Sequence, residues 1–195
     1  MPEVDTRPRR GPAPGATREE VLSVARQHWL DCRRIDVSAI AAECGVGRAT
    51  VYRWFGSREG LLGEAMMGVF EARVADARAA AGGKGAKALL DTFDLIYRGL
   101  VAAPHIRAFI ERERAVALPL MTSSSGPVHP RIVELIKGLI DAEVERGDYE
   151  PTTDTGTLAY VLVRTTEALL FNYEADDVPK DFERLREVHA AVLGA

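Results

Sequence analysis

The sequence predicts an all-α fold of about nine helices, a three-helix head at the N-terminus followed by a larger helical domain. Apolar residues recur at helical spacing between capping residues, and Gly and Pro fall where each periodic stretch ends. The chain has 195 residues, 47% hydrophobic and 28% charged, which suits a globular protein with a substantial core. No apolar run approaches the roughly 18 residues of a membrane-spanning helix.

The elements follow in order. Residues 17–20, TREE, have the form of a capping box, Thr17 facing Glu20, and Val21, Leu22, Ala25 and Trp29 follow at helical spacing. A second, short helix fits Val37–Cys44, with Asp36 as N-cap and Ile40 and Ala41 inward. Gly45 permits the left-handed turn that ends it, and a third helix fits Arg48–Phe55. Ser57 caps a fourth, which runs to the GGKG loop and spans roughly 35 Å at about 1.5 Å per residue. Beyond it, Ala86–Ala103 is stopped by Pro104, and His105–Leu118 ends near Pro119. Pro130–Arg146 stops at Gly147, and Thr155–Tyr173 and Asp181–Leu193 complete the set.

Two short helices joined by a tight Gly turn form a helix-turn-helix pattern. On the third helix, Val51 and Phe55 stand one turn apart and face inward. The other faces carry Arg48, Ala49, Thr50, Tyr52, Arg53 and Trp54, with no acid among them. DNA has a use for each type. Arginine reads guanine bidentately, hydroxyls hold phosphates, and a small Ala49 allows close approach or meets a thymine methyl. Charge is partitioned accordingly: through Arg58 there are ten Lys/Arg against seven Asp/Glu, and beyond it fifteen against twenty-two. An anionic partner is expected for the first part alone.

The run IAAECGVGRATVYRWFGSREGLL resembles the signature of the TetR family of transcriptional regulators, the match extending over about residues 17–65. Ile40, Ala41, Gly45, Val46, Thr50, Tyr52, Phe55, Ser57, Glu59, Leu61 and Leu62 fall in place. Gly47, Cys44, Trp54 and Arg58 depart from the usual Ser, Ala, His or Tyr, and Lys. The resemblance implies a head over residues 17–58 with Arg48, Ala49 and Tyr52 at the bases, and Thr50, Trp54 and Arg58 on phosphates. Arg53 shares that exposed surface, and Ser38 matches a position that reaches a base edge or, being short here, a phosphate. Residues 1–16 are expected to form a disordered basic arm, whose Arg7, Arg9 and Arg10 either reach a minor groove or are simply solvated.

The resemblance further implies that residues 59–195 bind a small-molecule inducer and form a homodimer through the last two long helices. About nine helices matches that architecture. Phe93, Tyr97 and Leu100 on the fifth helix and Phe109 on the sixth are pocket candidates, although their spacing is equally that of plain core. In TLAYVLVRTTEALLFNY the polar residues are Arg164, Thr165, Thr166 and Glu167. Arg164 and Glu167 either pair at the dimer seam or orient a polar ligand group, Thr165 standing beside them; a buried charge needs a partner in both cases. The runs LAYVLVRTTEALLF and YRWFGSREGLLGE also resemble the QsdR-type branch, linked to lactone signals and their degradation. That implies an acyl lactone or a similar amphiphile as inducer, and a repressor released from a near-palindromic operator.

Other classes find less support. His28, His105, His129 and His189 are scattered, and no GxSxG, HExxH or P-loop spacing occurs, so no enzyme activity, cofactor or metal is expected. His129 with Glu134 suggests acid–base work, but loop histidines are usually solvated. A helical interaction module without DNA binding is the other alternative, kept open by Gly47 and Trp54. Cys32 and Cys44 lack metal or disulfide spacing, and the basic N-terminus lacks an apolar signal core, so a cytoplasmic location away from the membrane is expected.

Overall fold

The structure, a computed structural model, describes residues 16–171 and 178–195; the arm with Arg7, Arg9 and Arg10, and the end of the helix expected to reach Tyr173, lie outside the described residues. The described residues form α1 (Arg18–Leu30), α2 (Val37–Glu43), α3 (Arg48–Phe55), α4 (Arg58–Ala81), α5 (Gly85–Ala102), α6 (Pro104–Arg112), α7 (Arg114–Thr122), α8 (His129–Glu145), α9 (Thr155–Phe171) and α10 (Val178–Leu193). No strand occurs among them.

The head is built from local signals. Thr17 and Glu20 close the capping box, Glu20 N–H on Thr17 Oγ1 at 3.2 Å and Thr17 N–H on the Glu20 carboxylate at 2.6 Å. Asp36 Oδ1 accepts from the Ser38 and Ala39 amides at 2.7 and 2.9 Å, which also holds its carboxyl below the usual range. Gly47 starts α3 with no side-chain cap, and Ser57 Oγ caps α4 through the Gly60 amide at 2.9 Å.

The described residues form ten helices, one more than the sequence reading gave, because the expected sixth helix is broken. Glu113, at φ −129° and ψ 38°, leaves the helical path and turns its carboxylate to Arg58 and Arg34. The chain then restarts as α7, and Pro119 lies inside it instead of ending it. The missing Pro119 N–H removes one bond of the ladder, while the Ser123 amide still closes the last turn on Pro119 O at 3.2 Å.

α1 packs along α4, α5 runs beside α4, α8 pairs with α9, and α10 lies on α5 and α9. Two apolar cores result. The lower one joins Trp29, Ile40, Val51 and Phe55 of the head to Met67 of α4, Phe109 of α6, and Leu120 and Met121 of α7. The upper one gathers Val74, Phe93, Ile136, Leu158, Leu162 and Leu193. Burial of this kind stabilises by about 25 cal/mol per Å² of apolar surface removed from water. At the far end, the fully buried Glu143 carboxylate takes Arg78 and Arg146 at 2.5 Å each and the Gly85 amide at 2.8 Å, tying α4, α5 and α8 together.

The α3–α4 corner depends on Gly60, where a Cβ would stand 2.0 Å from Phe55 O. Alanine ordinarily gains about 1 kcal/mol over glycine within a helix. Here a backbone carbonyl blocks it, so Gly60→Ala is expected to lose about 1–3 kcal/mol through overpacking. Thermal unfolding checks this: a Tm several degrees lower is expected, and an unchanged or higher Tm would show that the corner yields.

Candidate nucleic-acid interface and sensor cavity

The buried pair Val51 and Phe55 fixes the rotation of α3, so the opposite face is presented outward. Arg48, Ala49, Tyr52 and Arg53 are exposed, Tyr52 at 39%, and Ser38 is exposed on neighbouring α2. Neither Arg48 nor Arg53 forms an ion pair among the described residues, and no carboxylate lies on their face of α3. Thr50 and Trp54 are half-buried, Trp54 edge-on to Phe55 with centroids 6.5 Å apart.

Arg58 departs from the expected phosphate contact. Its Nε donates to Ile35 O at 2.7 Å and its Nη2 to Glu113 Oε2 at 2.5 Å, leaving the side chain 18% exposed. Glu113 also faces Arg34 at 3.5 Å and Arg112 at 3.7 Å, and Arg112 donates to Cys32 O at 2.8 Å. These bonds fasten the loop before α2 and the start of α4 to the α6–α7 corner. The motif position was readable, but a carboxylate 55 residues further on was not.

A cavity of about 100 Å³ lies between the two cores. At roughly 30 Å³ of liquid volume per water it has room for about three waters. Of the six pocket candidates, Phe93 and Leu100 line it. The other four candidates are placed elsewhere. Tyr97 stacks on Phe182 at 6.3 Å, and Phe109 lies in the lower core against Trp29 at 5.1 Å. Arg164 donates to Thr122 O at 2.6 Å, Ser124 Oγ at 3.0 Å and Glu167 Oε2 at 2.9 Å. Thr165 Oγ1 donates to the carbonyl of Val161 or Leu162, at 2.9 or 3.1 Å.

The wall also includes Thr166 and Glu167, which the sequence reading named beside Arg164, and Trp29, Arg73, His105 and His189, which it missed. Glu167 is held by Arg164 and by His129, whose Nδ1 stands 2.7 Å from Oε1. His129 is thus a buried first-turn residue of α8 and not a solvated loop histidine. His189 is 2% exposed, with Nε2 3.0 Å from Thr165 Oγ1. Burial pulls the His189 pKa down to about 4, against a backbone hydrogen bond to Leu162. One signal was available: His189 stands one turn from both Leu185 and Leu193 on an amphipathic stretch. No group of three or more metal-ligating side chains occurs among the described residues.

Comparison with known proteins accords with this arrangement. Residues 84–194 match the family model of the tetracyclin repressor-like C-terminal domain, and residues 33–65 that of the bacterial regulatory proteins of the tetR family. Among solved structures the chain is similar to the R. erythropolis transcriptional repressor QsdR, from the TetR family. Identity is 27% over 91% of this chain and 94% of that one, with a TM-score of 0.79. It is also similar in fold to the TetR family repressor AlkX from Dietzia sp., implicated in biodegradation of n-alkanes. There identity is 18% over 94% of this chain and 99% of that one, with a TM-score of 0.65. No curated protein matches the chain.

His189 sets a pH dependence. Its folded pKa lies below its unfolded value, so the unfolded chain binds the extra proton between about pH 6.5 and 4 and stability falls as pH falls through that window. The loss is on the order of 3 kcal/mol by pH 4. His189→Leu is expected to remove this component, so denaturant titrations at pH 7 and pH 4 should show a smaller acid loss than in the wild type. Parallel losses in both proteins would mean that His189 is not held neutral.

Proposed function

The chain belongs to the TetR family of transcriptional regulators, and on that premise we propose that it is a repressor released from a near-palindromic operator by a small amphiphilic inducer. Regulators of this family bind operator DNA, function as dimers and are not enzymes. The observation that carries the reading is the α3 surface: two unpaired arginines, a tyrosine and an alanine, with no carboxylate, on a helix locked by two buried side chains.

Arg48, Ala49 and Tyr52 read base edges, with Arg53 beside them, while Ser38 and Thr50 reach phosphates. Arg58 acts at the joint instead. In the homodimer two copies of α3 enter successive major grooves about 34–36 Å apart. α9 and α10 form the bundle between protomers; exposed Tyr160 and Val188 support this. No helix of the described residues is long and apolar enough to cross a membrane, and we place the protein in the cytoplasm with its DNA.

The cavity lies where the two cores meet, and its wall includes Trp29 of α1. An inducer such as an acyl lactone or a similar amphiphile, lodged there, bears on the head directly. It favours a dimer with different head spacing through a coupling typically of about 1–3 kcal/mol. The Arg58–Glu113 pair transmits any shift of the α6–α7 corner to the start of α4.

Fluorescence anisotropy on DNA flanking its own gene, at several salt concentrations, tests the reading. Tight, salt-sensitive binding is expected. Failure there and in a wider sequence selection would favour an interaction module, to which the inward Trp54 and Arg58 would then belong. Arg48→Ala is expected to cost about 1–3 kcal/mol on the operator and relax one base position; a uniform loss on all sequences would make Arg48 a phosphate contact. Glu113→Gln is expected to leave ligand-free operator affinity nearly unchanged while reducing the inducer's effect on it. Undiminished release in that variant would remove the pair from the coupling route.

A further inference from the structure

Two groups on the cavity wall lack partners. His105, in the first turn of α6, is 8% exposed, and neither ring nitrogen has a hydrogen bond among the described residues. Arg73, exposed on α4, lines the edge of the same cavity, and its guanidinium has neither carboxylate nor carbonyl partner among them. The Arg73 stem crosses Gly99 of α5, where a Cβ would come within 3.3 Å of its Cδ; the glycine leaves the arginine room at the cavity edge. Burial, and next the nearby Arg73, hold the His105 imidazole below its usual pKa.

The remaining polar groups there are already engaged. Glu167 is bound by His129 and Arg164, Thr166 donates to Leu162 O at 2.8 Å, and His189 is paired with Thr165. The rest of the lining is almost wholly apolar, including Phe70, Phe93 and Leu162. The His105 ring opens onto this cavity, and its N–H offers a donor that a ligand group can take. A guanidinium offers paired donors suited to a carboxylate.

We propose that the inducer is an acyl-chain carboxylate, its chain against Phe70, Phe93 and Leu162 and its anionic head between Arg73 and His105. This rests on the reading of the cavity as the inducer site and names its ligand class. A neutral ester or an intact lactone ring presents only neutral acceptors to the same donors and binds less tightly. The head group also gains a route to the DNA-binding end, because the His105 ring meets Trp29 of α1 edge-on at 5.4 Å and Trp29 continues to Phe109.

Isothermal titration of the full chain with sodium decanoate and with methyl decanoate, both kept below aggregation, tests the proposal. Decanoate is expected to bind about ten- to a hundred-fold tighter, the range of a hydrogen bond to a charged group. Arg73→Leu and His105→Phe are each expected to abolish most of that preference, because the loss falls mainly on the acid. Phe at position 105 retains the ring contact with Trp29, so loss of fold is not the cause. Equal affinity for acid and ester in the wild type overturns the anionic head while leaving the cavity a ligand site. A preference that survives in both variants, or binding of neither compound, overturns the assignment. Operator release is read separately by anisotropy: decanoate bound without release overturns its role as inducer. Absence of any operator binding would strike the regulator reading and leave the acid-to-ester ratio untouched.

Discussion

The head has no core of its own, and most of the architecture follows from that constraint. Three helices over about forty residues bury too little surface to be stable alone. Trp29 closes the deficit by reaching past α4 to Phe109, and the lower core continues through Leu120 and Met121 without a break. α4 is common to both cores, with Leu61 to Met67 in one and Val74 and Ala77 in the other. A head that borrows its interior from the sensor cannot be indifferent to the sensor's packing. The cavity lies at the seam of the two cores and is walled by both.

Apolar and polar contacts divide the task of coupling. The seam is lined by methionines and aromatics, which repack at small cost because Met is unbranched and adaptable. The joint below it is different in kind. Arg58, Glu113 and the carbonyls of Ile35 and Cys32 form directional bonds of 2.5 to 2.8 Å, and separating a largely buried pair strands a charge. Such a pair moves as a unit or not at all. In the proposed mechanism, a soft chamber above a stiff joint turns a volume change in the cavity into a rigid displacement of the head.

The legible parts of the sequence were those that local chemistry decides. The capping box at Thr17, the Asp36 and Ser57 caps, and the inward pair Val51 and Phe55 needed nothing beyond their neighbours, and with them came the outward arginines of α3. What escaped was decided at long range. Helical spacing showed that Phe93, Tyr97 and Phe109 all face inward, but only packing determines which inward position borders a void. The break at Glu113 could not be read from Pro119, because the force that bends the chain there is a carboxylate drawn to Arg58. His105 looked like one scattered histidine until Trp29 and Arg73 stood beside it.

A net charge of −4 is no obstacle to DNA binding once charge is placed in space. The acids of the head are committed inward or along its own surface. Glu20 and Asp36 serve caps, Glu19 pairs with Arg26, and Glu43 meets His28. Arg48 and Arg53 are left without such partners. At the other end of α4, Glu143 and Asp148 are matched by Arg78, Arg146 and Lys84. Twenty residues of helix separate Arg58 from Arg78, about 30 Å. That is about three Debye lengths at 0.1 M salt, so the distant acids are screened from DNA docked on α3. What an operator meets is the local field of the head.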